Sequence, residues 1–197
     1  MTAKLEVRPI AGQELDEALP LIAAYQRFYR AEPDVERNRR FFSRFLHPSK
    51  EGLLLGAWLD GALAGFATLY WFFSSTKVAE SVLMNDLFVR EDLRGAGVGR
   101  ALIDGALDEA RRRGAAHLEW FTAPDNLVAQ RLYDSMAGAQ PSMWRAYEID
   151  VGGPTAKPPT SDQAPGEETV QVNDQYKGGG PAASPGPREH AQHQTGG

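Results

Sequence analysis

Cysteine is absent from all 197 residues, and its absence excludes several kinds of chemistry. Without thiols there is no disulfide framework, no thiolate metal site and no acyl-cysteine intermediate. Only four histidines are present, and none has partners at the spacing that metal ligands require. We therefore predict no metal site, and we expect any group transfer to proceed directly between substrates.

Long apolar runs are also missing. The longest, residues 62–73, is interrupted by Gly65 and Thr68, whereas a bilayer-spanning helix needs about 20 apolar residues. No apolar signal region precedes the first strand pattern. The net charge of −5 leaves no overall basic stripe for nucleic acid. We expect a cytoplasmic protein with neither membrane nor nucleic acid as a partner.

The C-terminal segment is poor in apolar residues. Residues 151–197 contain no Leu, Ile, Phe, Trp or Met, but hold 7 of the 13 prolines and 9 of the 20 glycines. Such a segment cannot bury enough apolar surface to offset its ordering entropy. The composition predicts one domain at 4–151 and a disordered tail at 152–197.

Within the predicted domain, apolar periodicity alternates between strand and helix patterns. Asp60-Gly61 separates two strand patterns and is a strong hairpin signal. We predict strands at 5–8, 53–59, 62–72, 81–89, 117–122 and 144–151, and helices at 14–30, 33–45, 97–113 and 126–136. This order indicates an α/β (α+β) fold.

A glycine-rich turn links a buried strand to a helix in the segment Arg94-Gly-Ala-Gly-Val-Gly99. Backbone N–H groups at such a turn lie at the positive end of the helix dipole, which favours an anion such as pyrophosphate. Glycine lets the backbone approach the anion closely. The spacing matches neither a P-loop nor a dinucleotide fingerprint. A plain turn without a ligand is the alternative interpretation.

A second segment, Asn126-Leu-Val-Ala-Gln-Arg-Leu-Tyr133, follows this turn after 27 residues. The pattern R-x-x-G-x-G and the later N-x-x-A-x-x-L-Y together resemble motifs A and B of the GNAT family of N-acetyltransferases. The resemblance spans residues 4–151. It implies the GNAT fold, a central, mixed, mostly antiparallel sheet flanked by helices. The sequence departs from the family pattern at Ala137, where the family usually has glycine. Here the glycine follows one residue later, at Gly138.

The resemblance also implies an acetyl-CoA-dependent enzyme and assigns site residues. The segment 94–100 would hold the coenzyme phosphates, and the end of the preceding strand would pair with the pantetheine arm and polarise the thioester carbonyl. Asn126 would contact the coenzyme further along, and Tyr133 would protonate the leaving thiolate as general acid. On its own, Tyr133 also fits a core aromatic of an amphipathic helix. The predicted coenzyme residues are Leu87, Phe88, Val89, Arg94, Gly95, Ala96, Gly97, Val98, Gly99, Arg100 and Asn126.

The group that deprotonates the amine is less well defined by the sequence. Candidates are Asp86 and Glu80 on the central strand and Glu119 on the next. Asp86 is the best of them, although a carboxylate that hydrogen-bonds a neighbouring loop is an equal alternative. Many relatives deprotonate the amine through ordered water.

The finer resemblance is to the diamine and polyamine branch, which includes spermidine/spermine and thialysine acetyltransferases. It rests on Gly65–Tyr70, Met84–Val89 and Trp144–Asp150. That branch has an acidic pair at the strand end, whereas here Asn85 replaces the first acid. The branch implies a small primary amine as acceptor and a possible homodimer. Alternatives are a protein N-terminus, a lysine or an aminoglycoside as acceptor, or a non-catalytic acyl-CoA-binding regulatory module.

Overall fold

The computed structural model describes residues 3–142 and Ile149. Two predictions therefore lie outside the described residues: the strand at 144–151, apart from Ile149, and the disordered tail at 152–197. Within the described part of the chain, no helix is both long enough and apolar enough to cross a bilayer.

Among the described residues, five strands form one sheet and alternate with four α-helices. The strands are β1 (Leu5–Pro9), β2 (Gly52–Leu59), β3 (Ala62–Ser74), β4 (Ala79–Val89) and β5 (Leu118–Glu119), and the helices are α1 (Leu15–Phe28), α2 (Val35–Phe42), α3 (Val98–Arg112) and α4 (Leu127–Asp134). The spatial order is β1-β2-β3-β4-β5. All neighbours pair antiparallel except β4 and β5, which are parallel. The predicted mixed, mostly antiparallel sheet flanked by helices is confirmed.

Local sequence signals explain where several elements begin and turn. Asp34 caps α2, because its Oδ1 accepts a hydrogen bond of 2.7 Å from the Arg37 N–H. Asp60 and Gly61 have φ values of 51° and 85°, which a two-residue hairpin between β2 and β3 requires. The hairpin predicted from Asp60-Gly61 is therefore confirmed.

Helices cover both faces of the sheet, and this explains why β2 is buried almost from end to end. Leu53, Leu55 and Ala57 point to the face that carries α3. Leu54 and Trp58 point to the opposite face, against α1 and α2. Alternate residues thus enter two separate cores, as the two-residue period of a strand dictates.

A β-bulge at Asn85 interrupts this alternation in β4. The β3–β4 register runs from Leu69↔Met84 directly to Thr68↔Asp86, so that Asn85 has no partner. Before the bulge, Met84 packs into the α3 core; after it, Leu87 packs there instead. The one-residue offset therefore turns Asp86 toward the face of α1 and α2.

The structure corrects several predicted boundaries: α1 covers Leu15–Phe28 rather than 14–30, and α2 covers Val35–Phe42 rather than 33–45. The bounds of β5 and α4 also differ. β5 covers only Leu118–Glu119 rather than 117–122, because the chain diverges from β4 after Glu119. α4 ends at Asp134 rather than 136, and the C-cap residue Ser135 is right-handed. Gly138 adopts a left-handed conformation, with φ 84°, but it lies beyond the helix end.

Candidate active site

A cleft of about 580 Å³ opens where β4 and β5 separate. The two strands pair only at Val82↔Leu118 and Leu83↔Glu119. Beyond that point, β4 continues to Val89 without a parallel partner among the described residues. Its backbone N–H and C=O groups on this side therefore face the cleft and can pair with an extended ligand. The predicted residues Leu87, Phe88 and Val89 all line the cleft.

The glycine-rich turn forms one wall of the cleft. Gly95 and Gly97 have φ values of 84° and 83°, in the left-handed region that favours glycine. A Cβ built on either residue would meet nothing within 4 Å. These glycines therefore leave open space in front of the backbone, as close approach by a ligand requires.

The N-terminus of α3 completes this wall. Gly97 is the N-cap and supplies no side-chain hydrogen bond to the helix, so the first backbone N–H groups have no intrahelical acceptor. Val98, Gly99 and Arg100 line the cleft together with Arg94. Positive charge and free N–H donors thus face the same space, which suits a phosphate.

Three residues of this segment make contacts that the sequence did not predict. Ala96 does not line the cleft, and its N–H donates to the Leu93 carbonyl at 3.3 Å. Arg100 donates to Ser135 Oγ at 3.1 Å. A Cβ on Gly99 would lie 3.2 Å from Leu132 Cδ2, so this glycine allows α3 to pack closely against α4.

Helix α4 brings Asn126 and Tyr133 to the cleft. Asn126 is the N-cap, and its Oδ1 accepts a hydrogen bond of 3.3 Å from the Ala129 N–H. The Tyr133 ring packs against Trp120 at 5.4 Å between centroids. Burial raises the pKa of Tyr133, and the neighbouring Tyr29 adds to the effect. The Tyr133 hydroxyl therefore keeps its proton at neutral pH and is available as a donor.

Asp86 is not exposed to the cleft. It is only 6% exposed and lies outside the cleft lining, because the bulge turns it toward α1. Asn85 Nδ2 donates to Asp86 Oδ1 at 3.0 Å. Burial raises the pKa of Asp86, while the polar groups of Tyr25, Thr68 and Asn85 act in the opposite direction.

The other two candidate bases also lie outside the cleft lining. Glu80 forms an ion pair with Arg113. Glu119 Oε2 lies 3.3 Å from His117 Nε2. Within residues 3–142, no cluster of three or more His, Asp or Glu side chains has the arrangement of a metal site.

The sequence did not identify the part of the cleft that α1 contributes. Tyr25, Phe28 and Tyr29 line it from above β4, and Phe121 lines it from the chain beyond β5. Phe28 is 58% exposed and Phe121 is 70% exposed, so both present apolar surface to the cleft. Apolar residues at the end of an amphipathic helix were the only available signal, and they also fit a core position.

Comparison with known proteins identifies the class of this site. The profile of the family described as "Acetyltransferase (GNAT) family" matches residues 18–139. The chain is 30% identical over 148 residues to the uncharacterized N-acetyltransferase YhfO of Bacillus subtilis, covering 75% of this chain and 93% of YhfO. It is 32% identical over 136 residues to the D-amino-acid N-acetyltransferase HPA3 of Saccharomyces cerevisiae, covering 68% of this chain and 84% of HPA3.

A solved structure agrees with this assignment. The crystal structure of a probable acetyltransferase superposes with a TM-score of 0.65 at 29% identity, covering 77% of this chain and 98% of that one. The chain therefore belongs to the GNAT acetyltransferase family and is an acetyl-CoA-dependent N-acetyltransferase.

The residues of the cleft fit the coenzyme that this family uses. Open space in front of Gly95 and Gly97 admits a phosphate, because no side chain occupies it. The edge of β4 beyond Leu83, which pairs with no strand among the described residues, offers N–H and C=O groups to the amides of a pantetheine arm. Acetyl-CoA would supply an acetyl group activated as a thioester.

Proposed function

We propose that this protein transfers the acetyl group of acetyl-CoA directly to the primary amine of a small molecule. The observation that carries the proposal is the meeting of three elements in one cleft: the glycine turn that begins α3, the end of β4 that faces the cleft, and Tyr133 on α4. Each supplies one requirement of acetyl transfer. These are phosphate binding, orientation of the thioester, and a proton for the leaving sulfur.

Coenzyme binding is assigned to two backbone segments. The backbone of Gly95, Gly97, Val98 and Gly99 would bind the pyrophosphate, with Arg94 and Arg100 adding positive charge. Ala96 would serve by shaping the turn, since its own N–H is bonded to Leu93. The end of β4, at 87–89, would pair with the pantetheine arm and direct a backbone N–H at the thioester carbonyl, which is electrostatic preorganisation. Asn126 would contact the same arm through its side-chain amide.

Proton transfer is assigned to Tyr133 and Asp86. The Tyr133 hydroxyl would give its proton to the departing thiolate, a role supported by its raised pKa and its position in the cleft wall. The attacking amine must lose a proton, because an alkyl ammonium with a pKa of about 10.4 has no lone pair. Asp86 is the proposed final acceptor of that proton.

Small amines of the amino-acid or diamine type are the proposed acceptors. The similarity to the D-amino-acid N-acetyltransferase HPA3 supports an amino-acid-like amine. The resemblance of segments 65–70 and 84–89 to the diamine and polyamine branch supports a diamine, although Asn85 in place of an acid weakens that case. A homodimer is proposed on the same resemblance.

The test is an amine panel with acetyl-CoA, in which free thiol release is followed and products are identified by mass spectrometry. The panel pairs each amino acid with its decarboxylated amine, and adds polyamines, aminoglycosides and short peptides. We expect turnover of at least one small amine. Acetyl-CoA binding by calorimetry without turnover of any amine would contradict the proposal and favour a non-catalytic acyl-CoA-binding module. Turnover of peptides alone would favour a protein substrate.

A further inference from the structure

A polar cluster built around the buried carboxylate of Asp86 lies directly beneath the cleft, on the face of the sheet that carries α1. Asp86 is at its centre, with Asn85 beside it on β4, Thr68 and Tyr70 opposite on β3, and Tyr25 above on α1. Asn85 Nδ2 donates to Asp86 at 3.0 Å and lies 3.5 Å from the Tyr70 hydroxyl. Of these residues, Tyr25 and Asn85 line the cleft, whereas Asp86, Thr68 and Tyr70 do not.

Tyr25 is the hydroxyl-bearing member of this cluster that reaches the cleft. It lines the cleft and also lies beside the Asp86 carboxylate. Its ring packs against Phe88, with centroids 6.1 Å apart, which fixes it above the strand that the acceptor must approach. Asn85 also lines the cleft and donates to Asp86, but an amide does not accept one proton and release another as a phenol does.

We propose that Tyr25 is a further catalytic residue, which accepts the proton of the amine in the cleft while giving its own proton to Asp86. This inference rests on the proposed function. In the step, an N–H bond of the ammonium and the Tyr25 O–H bond break, while a new Tyr25 O–H bond and an Asp86 Oδ–H bond form. The amine is left neutral with a lone pair, and Asp86 is left as a neutral acid. The proton returns to solvent by the reverse path after the product leaves.

The surroundings of Asp86 favour this direction of transfer. The titratable groups beside Asp86 are Tyr25 from α1 and Tyr70 from β3; Tyr29, which follows α1, lies beyond Tyr25, and Arg44 lies beyond Tyr70. Burial raises the pKa of the Asp86 carboxyl, so the neutral acid is stabilised relative to the same group in water. Burial, followed by the negative charge of Asp86, also raises the pKa of Tyr25. The phenol therefore stays protonated between turnovers.

Tyr70 provides a matched control. Like Tyr25, it places a phenol near Asp86, and its pKa is likewise raised by burial and by that carboxylate. Unlike Tyr25, it does not line the cleft. Tyr25→Phe and Tyr70→Phe thus each remove one hydroxyl from the surroundings of the same acid, but only the first interrupts the proposed path.

The first experiment measures kcat/KM against pH for wild type, Tyr25→Phe, Tyr70→Phe and Asp86→Asn with an amine that the wild type acetylates. We expect Tyr25→Phe and Asp86→Asn each to lower kcat/KM roughly 10²- to 10⁴-fold near neutral pH. The loss should shrink as the pH approaches the pKa of the amine, because a neutral amine needs no acceptor. A variant that combines Tyr25→Phe with Asp86→Asn should be no slower than the slower of the two single variants, since both residues act in one path. Tyr70→Phe should stay within a few-fold of wild type.

A second measurement does not depend on turnover. The carboxyl ¹³C resonance of Asp86, identified by its loss in Asp86→Asn, should shift when saturating amine is added to wild type and to Tyr70→Phe. It should not shift in Tyr25→Phe. Melting temperature and acetyl-CoA affinity report whether each variant is folded.

Three outcomes would overturn the inference. In the first, Tyr25→Phe matches Tyr70→Phe both in kcat/KM and in the ¹³C response of Asp86. In the second, the loss of kcat/KM in Tyr25→Phe is the same at every pH, as a purely structural role would give. In either case the wild type still acetylates amines, so the proposed function stands and the relay fails. The third outcome, no turnover by the wild type, rejects the proposed function and the relay together.

Discussion

Gly97→Ala separates the backbone role of the glycine turn from its proposed role in binding phosphate. Gly97 has φ 83°, and an added Cβ meets nothing within 4 Å. Gly61, in the hairpin between β2 and β3, has φ 85° and equally open surroundings. Alanine in the left-handed region costs about 1–2 kcal/mol, so the two substitutions should lower the free energy of unfolding by similar amounts.

Only one of the two should affect coenzyme binding. If the Cβ of Gly97→Ala blocks a single N–H bond to a charged phosphate, the loss is about 1.5–3 kcal/mol. Since a tenfold change in Kd corresponds to about 1.4 kcal/mol, acetyl-CoA should bind roughly 10- to 100-fold more weakly. Gly61→Ala should bind it with wild-type affinity.

The assay combines urea unfolding with calorimetric titration of acetyl-CoA for both alanine variants. Gly97→Glu and Gly61→Glu extend the comparison, because a carboxylate at Gly97 adds charge repulsion and should abolish measurable binding. Equal acetyl-CoA affinity for Gly97→Ala and Gly61→Ala, together with equal losses of stability, would refute the assignment of phosphate to this turn.

Three further changes test other parts of the structure. Tyr133→Phe should lower kcat roughly 10²- to 10⁴-fold with little change in acetyl-CoA affinity; an unchanged kcat would mean that water supplies the proton. The raised pKa of Asp86 implies that the folded state binds the Asp86 proton more tightly than the unfolded state does. Asp86 therefore contributes its full stabilisation of the folded state below its ordinary pKa of 3.8, and that stabilisation is lost as the pH rises. Asp86→Asn should therefore gain melting temperature relative to wild type as the pH rises above about 4, and a difference that stays constant as the pH rises would contradict the shift. Gly65→Ala would place a Cβ 2.5 Å from the Phe88 carbonyl oxygen, so it should cost roughly 1–3 kcal/mol in urea unfolding; wild-type stability would mean that β3 and β4 can separate without cost.

The parts of the site that the sequence predicted are those with local physical requirements. A left-handed residue at the start of α3 needs glycine at Gly97 whatever the rest of the chain does. Asn126 is a good N-cap because its own side chain reaches the Ala129 N–H. Such short-range rules also located the hairpin at Asp60 and Gly61. The predicted order of strands and helices follows in the same way from apolar periodicity.

The parts that the sequence missed depend on pairing between distant segments. The bulge at Asn85 arises from the register of β4 against β3, and no local signal distinguishes it from an ordinary strand residue. Without it, Asp86 would share the face of Met84 and would not meet Tyr25. The early end of β5 and the contribution of Phe28 and Tyr29 to the cleft likewise depend on how remote elements meet. Burial of Asp86 could therefore not be predicted from spacing alone.

The brief contact between β4 and β5 has a consequence for the handling of the purified protein. An uncovered strand edge is a template for pairing with another chain, and aggregation follows the same geometry. If acetyl-CoA covers this edge as proposed, it acts as a temporary extra strand, and a concentration 100 times Kd adds about 2.7 kcal/mol to the stability of the folded form. Shelf life, yield on concentration and resistance to heat should then follow the coenzyme content of the preparation, so removal of bound coenzyme during purification would yield the form most prone to precipitation.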